Sequence, residues 1–432
     1  MDDRTRPVTL RLSQAAEVRL GRQRAPQYEQ GDHLTPYLRS ANVLDGSLDL
    51  ADVKSMNFDP VEQSIFGLVP GDVLMTEGSG SAETVGTSAV WGAEIPGTVC
   101  FQNTLLRLRP RTGVTDGRFL AWWARHAHAS GQINAVTTGA NIQHIGSDGL
   151  KDLRIHVPAV DEQRRIADFL DDRVTRIDQI ITAREAQLEL IHESADRASF
   201  EVISGHRVVG ARRTVEERWL GTIPAGWPLL SVGSEFQVEL GKMLDEKQQT
   251  GKWPLPYLRN TNVQWDVIST DDVKIMDIAP HERSRFTVTP GDLLICEGGQ
   301  PGRAAIWAGG IAPLAYQKAL HRARSRGRSH PRWLLECLRV AVRFGVFEAA
   351  NGQTTIGHLT NEQLRAQRFP FPDTKTQSDL LTTLSADREA VSATSSALTQ
   401  SVALLREYKQ VLITAAVTGE LDVTTAGSGI PG

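Results

Sequence analysis

The chain is written twice, and this constrains its fold more than any other feature. Tyr37-Leu38-Arg39-Ser40-Ala41-Asn42-Val43 returns as Tyr257-Leu258-Arg259-Asn260-Thr261-Asn262-Val263, an offset of 220. At that offset Asp52-Val53-Lys54-Ser55-Met56 matches Asp272-Val273-Lys274-Ile275-Met276, and Pro70-Gly71-Asp72-Val73-Leu74 matches Pro290-Gly291-Asp292-Leu293-Leu294. From 37 to 78, 19 of 42 positions are identical. Further on the offset shortens: Ala89-Val90-Trp91 pairs with Ala305-Ile306-Trp307, and Gly139-Ala140-Asn141-Ile142-Gln143-His144 resembles the stretch from Gly352 to His358. The offset changes at Gly- and Ser-rich places, where loops tolerate insertion. A tandem duplication with divergent loops is therefore expected.

Each copy ends in a long helical pattern. In residues 160–205, apolar or small residues recur in steps of three and four, through Leu170, Val174, Ile177, Ile181, Leu188 and Ile191. That spacing is the heptad seam of a coiled coil. Residues 374–418 carry Val391, Leu398, Val402, Leu405 and Leu412 in the same register at an offset of 214. Arg184 interrupts the first seam, and Arg388, Ser395 and Lys409 interrupt the second. Rods of about 45 residues at ~1.5 Å each would run roughly 65 Å, and two in one chain can pair antiparallel. The segments before them, 1–159 and 206–373, read as mixed α+β. Val8–Leu12 and Leu153–Val157 alternate as strands do, Asp116 suits a helix cap, and Pro331 suits a first helical residue. Residues 419–432 are expected to be a flexible tail.

Composition narrows the function classes. The chain has 432 residues, 40% hydrophobic and 23% charged, an ordinary globular balance with room for two or three domains. No apolar run approaches a membrane span, and Met-Asp-Asp-Arg-Thr-Arg does not read as a secretory signal. Three cysteines, Cys100, Cys296 and Cys337, odd in number and without a C-x-x-C pair, point to a reduced, cytoplasmic setting. The net charge of -4 argues against nucleic acid until it is divided. The rods, with the tail, hold -8, residues 1–159 hold -2, and residues 206–375 hold +6, including the run Arg322, Arg324, Arg326, Arg328, Arg332. The globular parts suit an anionic partner, unless that run is simply a solvated loop.

Catalytic signatures are absent. There is no G-x-x-x-x-G-K-[ST], H-E-x-x-H, paired C-x-x-C or G-x-S-x-G, nor a base-flipping methyltransferase tetrapeptide. Glu77 and Glu297 recur before Gly-rich loops and fit a turn better than a catalytic role. Trp122, Trp123 and Trp333 fit a core better than base stacking.

With this layout the local phrases carry a resemblance. Asp161-Glu162-Gln163-Arg164-Arg165-Ile166-Ala167-Asp168-Phe169-Leu170-Asp171, Trp219-Leu220-Gly221-Thr222-Ile223-Pro224-Ala225-Gly226-Trp227 and Ile413-Thr414-Ala415-Ala416-Val417-Thr418-Gly419-Glu420-Leu421 are similar to phrases of type I restriction-modification specificity subunits. Two departures stand out. The first half lacks the Ile-Pro-x-Gly-Trp opening, and the second rod, Lys375-Thr376-Gln377-Ser378, keeps only the Gln of Glu-Gln-Arg.

The resemblance implies an α+β chain: two pseudo-symmetric α/β target recognition domains, 1–159 and 206–373, separated by two long helices forming an antiparallel coiled coil. It implies a non-catalytic subunit that binds double-stranded DNA, each domain reading one half of a split target. The helices would set the spacer and dock two modification subunits, which methylate adenine with S-adenosylmethionine. Restriction subunits would join with ATP and Mg, none of these cofactors being bound by this chain. A coiled-coil adaptor without DNA specificity is the competing reading, and a self-contained nuclease a third.

Loops framed by the repeat are the natural DNA contacts. In the first half these are Arg22, Arg24, Arg39, Ser79, Ser81, Thr84, Gln102, Asn103, Arg107, Asn141, Gln143 and His144. In the second they are Lys242, Arg259, Asn260, Gln300, Arg303, Gln317, Lys318, Arg322, Gln353, Thr354 and His358. Arg and Lys suit phosphates or guanine edges, and Gln and Asn suit adenine edges. Arg39 and Arg259 recur, so they are expected to be backbone-contacting or structural, because residues that read different targets should differ.

Overall fold

The computed structural model describes residues 8–79, 84–139, 143–244, 250–349 and 358–424. The chain divides into two compact units, Met1–Glu185 with Thr399–Gly432, and Ala186–Leu398. The division cuts through both long helices, so each unit owns one end of each.

Two of the sheets of unit 1 make the frame that recurs in unit 2. β1 (Ala16–Leu20), β2 (Leu34–Leu38), β3 (Lys54–Asn57), β4 (Val73–Thr76), β5 (Ser88–Val90), β6 (Cys100–Phe101) and β7 (Leu105–Pro110) supply them. The first sheet runs β1-β7-β4-β5, all antiparallel; the second runs β3-β2-β6, with β2 and β6 parallel. Helix α1 (Gly117–Ala129) starts where the Asp116 carboxylate accepts from the backbone N–H of Arg118 and Phe119. Trp122 and Trp123 on α1 are buried, as a core role requires.

Unit 2 repeats this plan. β8 (Phe236–Leu240), β9 (Pro254–Leu258), β10 (Lys274–Asp277), β11 (Leu293–Cys296), β12 (Ala304–Ile306), β13 (Ala315–Tyr316) and β14 (Leu320–Ser325) form sheets β8-β14-β11-β12 and β10-β9-β13. Helix α3 (Pro331–Arg343) takes the place of α1, with Trp333 fully buried. All three cysteines are buried and unpaired.

The long helices are α2 (Val160–Ile203) and α4 (Thr374–Thr418). Within unit 1 their ends run antiparallel, with Asp178 joined to Lys409 at 2.6 Å and Glu185 to Arg406 at 2.7 Å. Leu170, Val174, Ile177 and Ile181 are buried in one cluster with Val402, Leu405 and Leu412. In unit 2, Leu188, Ile191, Val391 and Leu398 are only half-buried. The interruptions of the second seam have partners: Lys409 pairs with Asp178, Ser395 lies 3.4 Å from the His192 ring, and Arg388 reaches Glu336. Part of the tail is packed rather than free. Leu421 and Val423 lie against the unit 1 core, and the Leu421 N–H donates to the Ala415 carbonyl.

One side chain roots each helix. Gln163 is fully buried; its Oε1 accepts from the Asp116 N–H at 2.7 Å and its Nε2 donates to the carbonyls of Val114 and Pro158, both at 2.8 Å. Gln377 does the same in unit 2, accepting from the His330 N–H and donating to the Pro372 carbonyl and the Ser329 hydroxyl. The glutamine kept in the second rod is thus an internal tie.

Candidate nucleic-acid interface

The β2–β3 hairpin of unit 1 places Tyr37 opposite Lys54, and in unit 2 Tyr257 faces Lys274 in the same register. Arg39 follows β2 and is set by a buried asparagine. Asn42 accepts from the Arg39 N–H and donates to the carbonyls of Asp49 and Asp52. Arg39 then donates through Nη2 to Asp52 Oδ2 at 2.6 Å, and Lys54 Nζ lies 2.7 Å from the other oxygen. The Lys54 ammonium, with Arg39 beside it, holds the Asp52 carboxyl below its ordinary value. Unit 2 copies the clamp: Asn262 sets Arg259, which donates to Asp272 Oδ2 at 2.5 Å and to its carbonyl at 3.0 Å. Beside the unit 1 clamp lies a groove of about 540 Å³ whose lining includes Arg24, Glu29, Arg39, Lys54, Ser55 and Gln102.

Several cations expected to meet DNA face inward. Arg22 is buried; Nε donates to Glu62 at 2.7 Å, Nη1 to the Asn57 carbonyl at 2.9 Å, and the guanidinium sits 3.5 Å from the centre of the Tyr28 ring. Lys242 repeats this in unit 2, paired with Glu282 at 2.6 Å. Arg107 is buried with its nitrogens on the carbonyls of Ile65 and Gly67 and on Glu17. Arg322 is buried on the Thr287 carbonyl at 2.6 Å. Arg303, half-buried, donates to the Asn260 carbonyl at 3.1 Å and so braces that turn. Arg22, Arg107 and Arg322, expected to contact DNA, are instead turned inward. Carbonyls accept from all three and carboxylates from Arg22 and Arg107, while Nε of Arg107 and of Arg322 is buried without a partner.

The basic run of unit 2 dissolves for the same reason. Arg324 grips Asp292 at 2.6 Å and Arg332 joins Asp266 and Glu336, leaving Arg326 and Arg328 exposed.

The remaining candidates are spread. Arg24 is exposed, 2.8 Å from Glu29. Thr84, Gln300, Lys318 and His358 are exposed, while Asn103, Gln143, Gln317 and Asn260 are half-buried. His144 is exposed with Nδ1 3.1 Å from Glu77. The backbone carbonyls of Glu77 and Glu297 accept from Ile145 and Leu359, the same long-range contact in each unit. Ser79 is placed only through its backbone pairing with Gln143, and Ser81, Asn141, Gln353 and Thr354 lie outside the described residues. Lys54, Ser55 and Lys274 were not singled out from sequence, although the recurring Asp-Val-Lys marks both lysines. Among the described residues no cluster of His, Cys, Asp and Glu could hold a metal, and no helix is long and apolar enough to cross a membrane.

Comparison with known proteins places this architecture. The profile of the family described as "Type I restriction modification DNA specificity domain" matches residues 36–190. The chain is 26% identical over 289 residues, 67% of its length, to the type I restriction enzyme EcoKI specificity subunit of Escherichia coli K12. It is 27% identical over 193 residues, 45% of its length, to the StySPI specificity subunit of Salmonella potsdam. These matches span 60% and 40% of those relatives' own lengths. A chain solved in work on complex assembly and conformational transition of the type I R-M system superposes with a TM-score of 0.75 at 16% identity, covering 96% of this chain and 98% of that one. The HsdS subunit from Thermoanaerobacter tengcongensis gives 0.57 at 16% identity, covering 96% and 97%. With the duplicated sheets and the paired helix ends, these likenesses make the chain similar to type I restriction-modification specificity subunits, and residues 36–190 match the DNA specificity domain of that family.

Proposed function

We propose that this chain is the DNA sequence-recognition subunit of a type I restriction-modification complex, with unit 1 reading one half of a bipartite target and unit 2 the other. The observation that carries this reading is a shared frame with different rims. Both units have the same sheet order and the same arginine–aspartate clamp, yet Arg24 is answered by Leu244, Ser55 by Ile275 and Asn103 by Lys318. Base edges are told apart by the donors, acceptors and apolar groups presented to them, so two such rims select two different half-sites.

The chain carries no chemistry of its own in this reading. Two modification subunits dock on the helices and methylate adenine N6 with S-adenosylmethionine. Restriction subunits add ATP- and Mg-dependent translocation and cleavage. The length of α2 and α4 sets the gap between half-sites, so inserting a helical turn into both changes the gap and leaves the half-site sequences as they were. The test is a genome-wide map of N6-methyladenine in cells carrying this chain and its modification partner. A split motif with two unlike halves is expected; a continuous motif would overturn the two-reader proposal.

A further inference from the structure

The duplication allows structural cations to be separated from ligand-binding ones, because it supplies two independent solutions to the same fold. Cations common to both halves serve something the halves share, which is either the framework or a feature of DNA that does not depend on sequence. Most serve the framework. Arg22 and Lys242 hold Glu62 and Glu282, Arg109 and Arg324 hold Asp72 and Asp292, Arg125 and Arg339 hold Asp45 and Asp266, and Arg107 and Arg322 are buried on carbonyls. Arg39 and Arg259 hold Asp52 and Asp272.

Lys54 and Lys274 are different. Each is exposed at the same register of the same hairpin, opposite Tyr37 or Tyr257. Lys54 touches only the exposed Asp52, a contact that contributes little to stability in water, and Lys274 forms no ion pair among the described residues. Neither braces the fold, yet both recur. Beside Lys54 the groove is rimmed by Arg24 and Ser55, whose counterparts Leu244 and Ile275 differ in chemistry. A constant ammonium next to variable neighbours is what a reader needs if it holds one backbone phosphate and inspects the adjoining bases.

We propose that Lys54 and Lys274 each hold a DNA backbone phosphate at its half-site, the sequence-independent contact common to both readers. The inference rests on the DNA-reading function proposed above. It names a contact of the kind that fixes register on the duplex and carries no base information. Asp52 competes for Lys54 in the free protein, so Lys274 contributes the larger share.

The test uses the full-length chain with its modification partner, a duplex bearing the mapped motif, and an unrelated duplex of equal length. Lys54→Ala and Lys274→Ala should each weaken binding, each to the same extent on both duplexes, and Lys274→Ala more than Lys54→Ala. Each should also lower the slope of log affinity against log salt by about 0.9, so that the deficit narrows about 3.5-fold between 50 and 200 mM salt. Lys54→Arg should retain affinity and slope. Because both side chains are exposed, the unfolding midpoint of every variant should match the parent. An unchanged slope, or a loss confined to the motif duplex, overturns the phosphate assignment while leaving the reader intact. A parent complex whose binding ignores salt overturns the DNA-reading function itself, and this inference with it.

Discussion

Arg388 on α4 and Glu336 on α3 form a bidentate ion pair in unit 2, with the carboxylate fully buried. At the equivalent positions unit 1 has Val174 and Trp122, an offset of 214. The residue that breaks the heptad pattern therefore belongs to an ionic pair where unit 1 has two side chains of its buried apolar cluster. Arg332 and Arg339 also reach Glu336, and both hold Asp266 as well.

Removing one partner of such a pair leaves a buried charge uncompensated, whereas removing both with apolar residues of similar size is often neutral. Arg332 and Arg339 would still compensate Glu336 without Arg388, so the charge is stranded from the other side. Glu336→Leu takes the carboxylate from Arg388, while Arg332 and Arg339 keep Asp266, and is expected to destabilise unit 2 by about 3 kcal/mol in urea unfolding. The Glu336→Leu/Arg388→Leu double variant should recover most of that loss. Equal losses in single and double variants would mean that the pair stabilises by more than it costs to bury.

The glutamine ties make a second prediction. Gln163→Ala removes three hydrogen bonds at a buried site, and Gln377→Ala removes their counterparts. Each is expected to cost about 2–3 kcal/mol, because the carbonyls left behind cannot reach water. Gln163→Glu should be worse than Gln163→Ala, since a carboxylate faces the Val114 and Pro158 carbonyls without a donor. Urea midpoints of the three variants check the order.

Much of this was legible in the chain itself. The duplication showed that the two halves share one plan without showing its strand order, and periodicity without Pro or Gly marked the two helices. What sequence hid was the direction in which each arginine points. On a strand, Arg107 looks like any polar residue, but Glu17, which it meets, is 90 residues away, and Arg22 meets Glu62 40 residues on. Spacing cannot show a contact closed by tertiary packing. The repeat did hold the clue: a cation and a carboxylate 40 apart occur at 22 and 62 and again at 242 and 282. The rule that flagged Arg39 and Arg259 as structural applies equally to Arg107 and Arg322.

Acid should loosen unit 2 through His321. The ring is fully buried on β14, with Nε2 donating to the Leu359 carbonyl at 2.7 Å and Nδ1 lacking any partner. Burial pushes its pKa below the ordinary histidine value. The unfolded chain therefore binds the proton more readily than the fold. The neutral ring's stabilising contribution is complete above about pH 6.5 and is lost as pH falls from there toward the folded value. Unfolding midpoints should drop between pH 7.5 and 5.5, and His321→Gln should flatten that drop. A His321→Gln variant with the parent's full pH slope would assign the effect elsewhere, the buried His126 being another ring with a lowered pKa.

Arg22 and Arg24 lie two residues apart and should fail in different ways. Arg22→Ala empties a buried site that holds an ion pair with Glu62, a carbonyl contact and the Tyr28 ring, so a loss of about 2–3 kcal/mol in unfolding is expected. Arg24 is exposed at the groove, where its surface pair with Glu29 contributes under about 1 kcal/mol. Arg24→Leu, which copies unit 2, should leave stability within about 0.5 kcal/mol of the parent. Its effect should appear in the methylation map, as relaxed or altered preference within one half of the split motif. The other half, read by unit 2, should not change. If both halves relax, Arg24 acts on the frame rather than on the bases; if neither does, the groove beside Lys54 does not face the readable edge of the DNA.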